Sequence, residues 1–254
     1  MVRVVIIGSG NVAKHLFNVF SANEAIKMVQ VVSRNGQALK NFGTSINSTT
    51  DFSKIDESDI YIIAVSDDAI DTVSKRLTEL KGLVVHTSGS TALDCLSNHK
   101  RRGVFYPVQT FSKKEVIDFK NVPICLEARE KSDLILLQNL ANKVSNTIYT
   151  ISSEQRKALH LAAIFVNNYA NHLYHIGNTI CEANDLPFEI LNPLINETYK
   201  KIKRLSPYEA QTGPARRNDV KTINAHLEQL KDSVEKEIYA VLSRSIQNTY
   251  GEKL

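Results

Sequence analysis

The chain opens on the run Val2-Arg3-Val4-Val5-Ile6-Ile7, which ends in Gly8-Ser9-Gly10-Asn11-Val12-Ala13. A β-branched run of this kind reads as a buried strand. After the glycine turn, Val12, Ala13, Leu16, Phe17, Val19 and Phe20 recur at helical spacing. A strand, a G-x-G-x-x-G/A turn and a helix in that order begin a dinucleotide-binding βαβ unit. The first glycine allows the tight turn and the second lets backbone approach a pyrophosphate. The small residue at Ala13 permits close packing of helix on strand, and the helix N-terminus attracts the anion. The expected cradle is Gly8, Ser9, Gly10, Asn11 and Val12.

The alternation continues. Residues 28–32, 60–65, 83–86, 103–106, 122–126 and 147–151 read as further strands, with helices near 68–80 and 130–144. Strands alternating with helices predict an α/β fold, a Rossmann-type doubly wound, mostly parallel sheet. After Ile151 the pattern changes to helix alone: one long helix over 154–181, then shorter ones broken at Pro187, Pro193, Pro207 and Pro214. The expected division is a nucleotide-binding domain, 1–151, and an all-α substrate and dimerisation domain, 152–254.

The end of the second strand selects the nucleotide. NAD enzymes place Asp or Glu there, on the ribose hydroxyls. This chain has no acid between Glu24 and Asp51, and its second strand ends in Ser33-Arg34-Asn35. An arginine with short polar neighbours suits a 2′-phosphate, so NADP(H) is expected. Ligands of open α/β sheets bind beyond the carboxyl ends of the strands. Val65-Ser66, Thr87-Ser88 and Gln109 fall there; the first four are expected along the cofactor, with Ser66 capping the following helix, and Gln109 is expected at the substrate.

From Ala158 to Cys181 there is no Lys, Arg, Asp or Glu. Four asparagines and three histidines make the stretch too polar for a bilayer, so it reads as a buried helix with a polar stripe. At about 100° per residue, His160, Asn167, Asn171 and Asn178 fall within about 20° of one line. His160 is the candidate proton donor, because an imidazole titrates near neutral pH. Asn167 is the candidate for orienting the substrate. The apolar remainder predicts burial against a second copy of the chain. Between Lys200 and Lys221 seven basic residues face two acids, and the turn Thr212-Gly213-Pro214-Ala215-Arg216-Arg217-Asn218-Asp219 lies inside. Thr212, Arg216 and Arg217 are expected to hold an anionic substrate, with Asn218 or Asp219 capping the next helix.

The net charge of +4 over 254 residues is too mild for a dedicated nucleic-acid binder. Cys95, Cys125 and Cys181 form no CxxC and leave one unpaired, which fits a reducing cytoplasmic setting and offers no zinc spacing. No segment reads as a membrane span.

With these residues in view, the chain resembles the pyrroline-5-carboxylate reductase and β-hydroxyacid dehydrogenase superfamily. More closely, Tyr106-Pro107-Val108-Gln109-Thr110-Phe111-Ser112 and the Thr212–Asp219 run resemble a Rossmann-like family of NADP oxidoreductases related to deazaflavin-dependent enzymes. Taken together with the residues above, the expectation is hydride transfer between NADP(H) and a C=O or C=N carbon of a small anionic substrate, in a homodimer. It departs in two places. β-Hydroxyacid dehydrogenases carry a lysine one turn before an asparagine on the long helix, where this chain has Ala163 and Ile164. Relatives often read His-Pro where this chain has Tyr106-Pro107. The alternative expectation is a non-catalytic NADP-binding sensor, which needs the nucleotide site and no proton donor.

Overall fold

The first strand, β1 (Val2–Ile7), lies inside an eight-stranded sheet, third from one edge, with Val4 to Ile7 almost wholly buried. The computed structural model describes residues 1–251 except 79, 114 and 232. Side chains alternate across the strand. Val4 and Ile6 enter one core with Ala13, Leu16 and Phe20 of helix α1 (Asn11–Ser21). Val5 and Ile7 enter the other, with Ile70, Val73 and Leu77. A strand covered on both faces cannot alternate apolar with polar, which is why this one is β-branched almost throughout.

Along the chain follow β2 (Ile26–Val32), α2 (Gly36–Leu39), β3 (Asn47–Thr49), β4 (Ile60–Ile63), α3 (Ile70–Lys75), β5 (Leu83–His86), β6 (Arg102–Pro107), β7 (Ile124–Ala128), α4 (Lys131–Ala141) and β8 (Ile148–Thr150). The sheet order is β3-β2-β1-β4-β5-β6-β7-β8. The reversal between β1 and β4 creates the crevice in which open α/β sheets bind ligands. The α/β, Rossmann-type expectation holds. β3 had no sequence signal, being three polar residues at the sheet edge. The helix expected near 68–80 is shorter, and residue 79 lies outside the described residues.

Among the described residues all pairings are parallel except β6 with β7. Among its described residues the connection from 108 to 123 holds no crossover helix, only one short 3₁₀ turn (Phe119–Asn121), so β7 returns beside β6 in the opposite sense. The register then puts His86, Val104 and Glu127 in one row across β5, β6 and β7. Glu127 is thereby level with the carboxyl end of β5.

The long helix begins as α5 (Ser153–Ala163). Ser152 and Gln155 form a capping box, each side chain bonded to the other's backbone N–H. One π turn (Ile164–Tyr169) follows, then α6 (Ala170–Glu182). A uniform step of 100° does not run through a π turn, so the single stripe expected from His160 to Asn178 is broken in phase. The chain packs as two units, Met1–Ile164 and Phe165 onward. α5 goes with the sheet because Ser153 and Arg156 are bonded to Glu127.

The second unit holds α6, α7 (Asn192–Ile202), α8 (Pro207–Ala210), α9 (Val220–Gln229) and α10 (Val234–Tyr250). Among its described residues only Ala215, Ile223 and Ser243 are buried. Phe165, Val166, Leu194 and Val234 expose 61, 77, 64 and 66% of their surface. Among the described residues no helix is long and apolar enough to cross a membrane.

Candidate active site

The turn after β1 is held from both sides. Gly8 N–H donates to Val32 O at 2.8 Å, and Ala64 N–H donates to Ile7 O at 2.8 Å. Gly8 has φ +135°, and a Cβ there would stand 2.1 Å from Ala64 O. Gly10 differs. It is the N-cap of α1 with φ −77°, and nothing lies within 4 Å of its Cβ position. The first glycine therefore answers a demand of the fold, whereas the second leaves space open above the helix N-terminus.

That space is part of a cavity of about 1030 Å³. Gly8, Ser9, Gly10, Asn11, Val12, Ser33, Arg34, Asn35, Val65, Ser66 and Gln109 all line it. Ser9 and Ser33 share a hydroxyl bond of 2.8 Å, and Ser33 Oγ accepts from Asn35 N–H. Asn35 Oδ1 accepts from Ala38 N–H and caps α2. Arg34 is exposed, and no Asp or Glu is among the described lining residues. Ser66 precedes a 3₁₀ turn (Asp67–Ala69) without making the side-chain capping bond expected of it. Gln109, expected at the substrate, lines the same cavity, as does Phe111. The sequence reading missed how that loop is tied down. Phe111 O accepts from Asn11 Nδ2 at 2.7 Å, and Ser112 O is 2.9 Å from His15 Nε2.

Thr87 and Ser88 do not line this cavity. Ser88 is buried, and its hydroxyl accepts from the N–H groups of Ser90 and Thr91, shaping the loop after β5. Its own N–H donates to His86 Nδ1. Burial first, and then the Arg156 charge, push His86 down to about 4, so it is neutral at physiological pH.

His160 stands over this loop. A Cβ on Gly89 would come 2.7 Å from His160 Nδ1 and 2.8 Å from Tyr106 Cζ. Only glycine lets the backbone approach both rings. Tyr106 Oη is 3.3 Å from His160 Nδ1, and the rings meet edge to face. Burial raises the Tyr106 pKa, so the phenol keeps its proton and is available as a donor. The sequence placed Tyr106 at a strand end but gave it no partner; its pairing with a residue 54 positions later has no sequence signal.

In the second unit Asn167 is exposed within the π turn. In the Thr212–Asp219 turn, Gly213 has φ +103°, and Asp219 caps α9 by accepting from Thr222 N–H and Oγ1. Those two bonds hold the Asp219 carboxyl below its usual pKa. Arg216 is already engaged, donating to the carbonyls of Gln211 and Glu209 and lying 5.0 Å over the Tyr250 ring. Thr212 and Arg217 are exposed.

Sheet order, glycine turn and cavity define a Rossmann dinucleotide-binding protein. Residues 3–87 match the family described as NADP oxidoreductase coenzyme F420-dependent, and residues 122–246 match a domain of unknown function, DUF2520. A Bacteroides fragilis protein classed as an NADP oxidoreductase is 37% identical, over 97% of this chain and 98% of that one, with a TM-score of 0.89. The chain belongs to this family of NADP oxidoreductases, and NADP(H) is the family's nucleotide. An imine reductase from Myxococcus stipitatus, solved with NADP+, shares the fold at 13% identity (TM-score 0.66, 98% and 93% covered). So does the 1-pyrroline-5-carboxylate reductase of Streptococcus pyogenes at 14% identity (TM-score 0.65, 99% and 97% covered). No curated protein matches the sequence.

Proposed function

We propose that the protein transfers a hydride between NADP(H) and a C=O or C=N carbon of a small anionic substrate, with His160 as proton donor. The observation that carries this reading is the Gly89–His160–Tyr106 contact, an ionisable ring held by a protonated phenol above the loop that follows β5. In this reading the pyrophosphate lies on Gly8 to Val12. The 2′-phosphate meets Ser33, Arg34 and Asn35, and Val65 and Ser66 follow the cofactor toward its nicotinamide. Residues 1–151 serve the nucleotide and 152–254 serve substrate and dimer contacts. Asn167 orients the substrate. Arg217 and Thr212 remain free to meet its anionic group, whereas Arg216 is held by carbonyls of its own turn.

The protein acts as a homodimer in the cytoplasm. The exposed Phe165, Val166, Leu194 and Val234 support the dimer, since apolar surface of this extent marks an interface. The fold likeness to an imine reductase and a pyrroline-5-carboxylate reductase supports the C=N alternative. A panel of keto acids and cyclic imino acids, followed by NADPH absorbance, tests the reaction. Once a substrate is found, His160→Gln lowers turnover about 10²–10⁴-fold with little change in NADPH affinity, the usual range for one acid–base group. Undiminished turnover in that variant would remove the proton-donor role.

A further inference from the structure

The most deeply buried cation among the described residues is one that hydride chemistry does not itself require. Arg156, in the first turn of α5, is fully buried. A buried guanidinium is tolerated only when paired and hydrogen-bonded, and here it is both. Nη1 donates to Glu127 Oε2, Nε to Ser88 O at 3.2 Å, and Nη2 to Thr91 O. Ser153, one turn earlier, donates its N–H and hydroxyl to the same carboxylate, and its Oγ accepts from Leu93 N–H at 3.1 Å. Glu127 can serve because the antiparallel return of β7 sets it level with the end of β5.

The two carbonyls that Arg156 holds bracket Gly89 and Ser90. Four residues further along the same helix face stands His160, whose ring leaves no room for a Cβ on Gly89. One rigid fork thus joins the loop to the helix that carries the imidazole. Only arginine presents donors in several fixed directions within one plane; a lysine ammonium cannot reach both carbonyls and the carboxylate with the same geometry.

We propose that Arg156 is a positioning residue: clamped by Glu127, it sets the distance between the Ser88–Thr91 loop and His160, and so holds the imidazole against Tyr106. The proposal rests on the reading of His160 as proton donor. Without the clamp the loop is free to lift, the 3.3 Å contact between Tyr106 and His160 opens, and the imidazole loses its Nδ1 partner. Catalytic groups lose their advantage with displacements on the order of 0.5 Å.

The test uses the full chain with NADP+ bound. Arg156→Met combined with Glu127→Leu removes both charges of the pair together and leaves neither orphaned. Arg156→Lys keeps the charge and loses the fork. Three quantities are read: the imidazole ¹⁵N signals of His160, assigned by their loss in His160→Gln; amide exchange at Gly89, Ser90 and Thr91; and NADP+ affinity by calorimetry. The wild type shows a single His160 tautomer. The double variant shows a tautomer mixture and exchange at least about tenfold faster at those amides, with NADP+ affinity within about threefold, because the cavity-lining loops lie elsewhere. Arg156→Lys lies between.

Unchanged His160 signals in the double variant, or a fall in NADP+ affinity beyond about tenfold, overturns the proposal. If the double variant does not fold, Arg156→Lys decides by the same signals. Wild-type turnover in His160→Gln would defeat the proton-donor reading while leaving the tautomer result standing, so the two failures are distinguishable.

Discussion

Two glycines two residues apart should fail in opposite ways when each is replaced by alanine. At Gly8 the added Cβ meets Ala64 O at 2.1 Å and Ala64 C at 2.7 Å, with φ at +135°. These are backbone atoms fixed by the bond from Ala64 N–H to Ile7 O, so they cannot swing aside. Backbone strain at such a φ costs about 1–3 kcal/mol, and overpacking a tight site about 1–3 kcal/mol more. Gly8→Ala should therefore lose about 4 kcal/mol, a large share of the roughly 5–15 kcal/mol that stabilises a domain. With a urea slope of about 2–3 kcal/mol/M, the unfolding midpoint falls by about 1.5 M. Gly10→Ala meets nothing within 4 Å, at a φ of −77° that alanine accepts. Its loss as an N-cap, about 0.5–1 kcal/mol, is offset by a stiffer unfolded chain, about 0.4–1 kcal/mol. The midpoint stays put. Its Cβ instead occupies the opening above the helix N-terminus, and NADP+ affinity falls at least about tenfold, or 1.4 kcal/mol. Urea melts with calorimetric titrations check both. A Gly8→Ala protein with wild-type stability, or a Gly10→Ala protein with wild-type NADP+ affinity, would refute this reading of the turn.

Arg34→Ala should weaken NADP+ by about ten- to a hundredfold, the worth of a charge-assisted bond, and leave NAD+ unchanged; equal losses for both nucleotides in titration would count against a 2′-phosphate contact. His86 is pushed from 6.5 to about 4, so the native state refuses a proton that the unfolded chain accepts. Stability is then insensitive to this group above pH 6.5 and falls by about 3 kcal/mol as pH drops toward 4; urea melts across that window should show the slope, and His86→Asn should flatten it. Sedimentation should give a dimer at micromolar concentration, and replacing Phe165 and Val166 by serine should shift it toward monomer; a wild-type chain that sediments as a monomer contradicts the interface assigned to the second unit.

The glycine turn and the cavity around it were legible in the sequence because their signals are local. A strand, two glycines and a helix within twenty residues specify their own geometry, and the missing acid after β2 is a one-dimensional observation. His160 was reachable too, because a charge-free stretch of that length makes its polar members conspicuous. Tyr106 and Arg156 were not. Both act through partners dozens of residues away, and an arginine carries a strong prior for the surface. Its burial depends on Glu127 arriving at the level of His86, which follows from β7 running antiparallel. That reversal is written only as a missing helix between 108 and 123. The π turn was hidden for a related reason: no proline or glycine marks it, and the backbone adjusts its winding without a change in composition.

The winding order of the sheet has a consequence for how the protein comes into being on the ribosome. Apart from Gln109 and Phe111, every described residue lining the nucleotide cavity falls between Ile7 and Val73. The strands that shape it, β1 to β4, are the first to be made. Translation thus delivers nearly all of this cavity's lining in the opening third of synthesis. The imidazole follows only after the sheet has been extended outward strand by strand through β8. In the proposed reading, a nascent chain holds the parts of a nucleotide receptor long before it holds the means to use one.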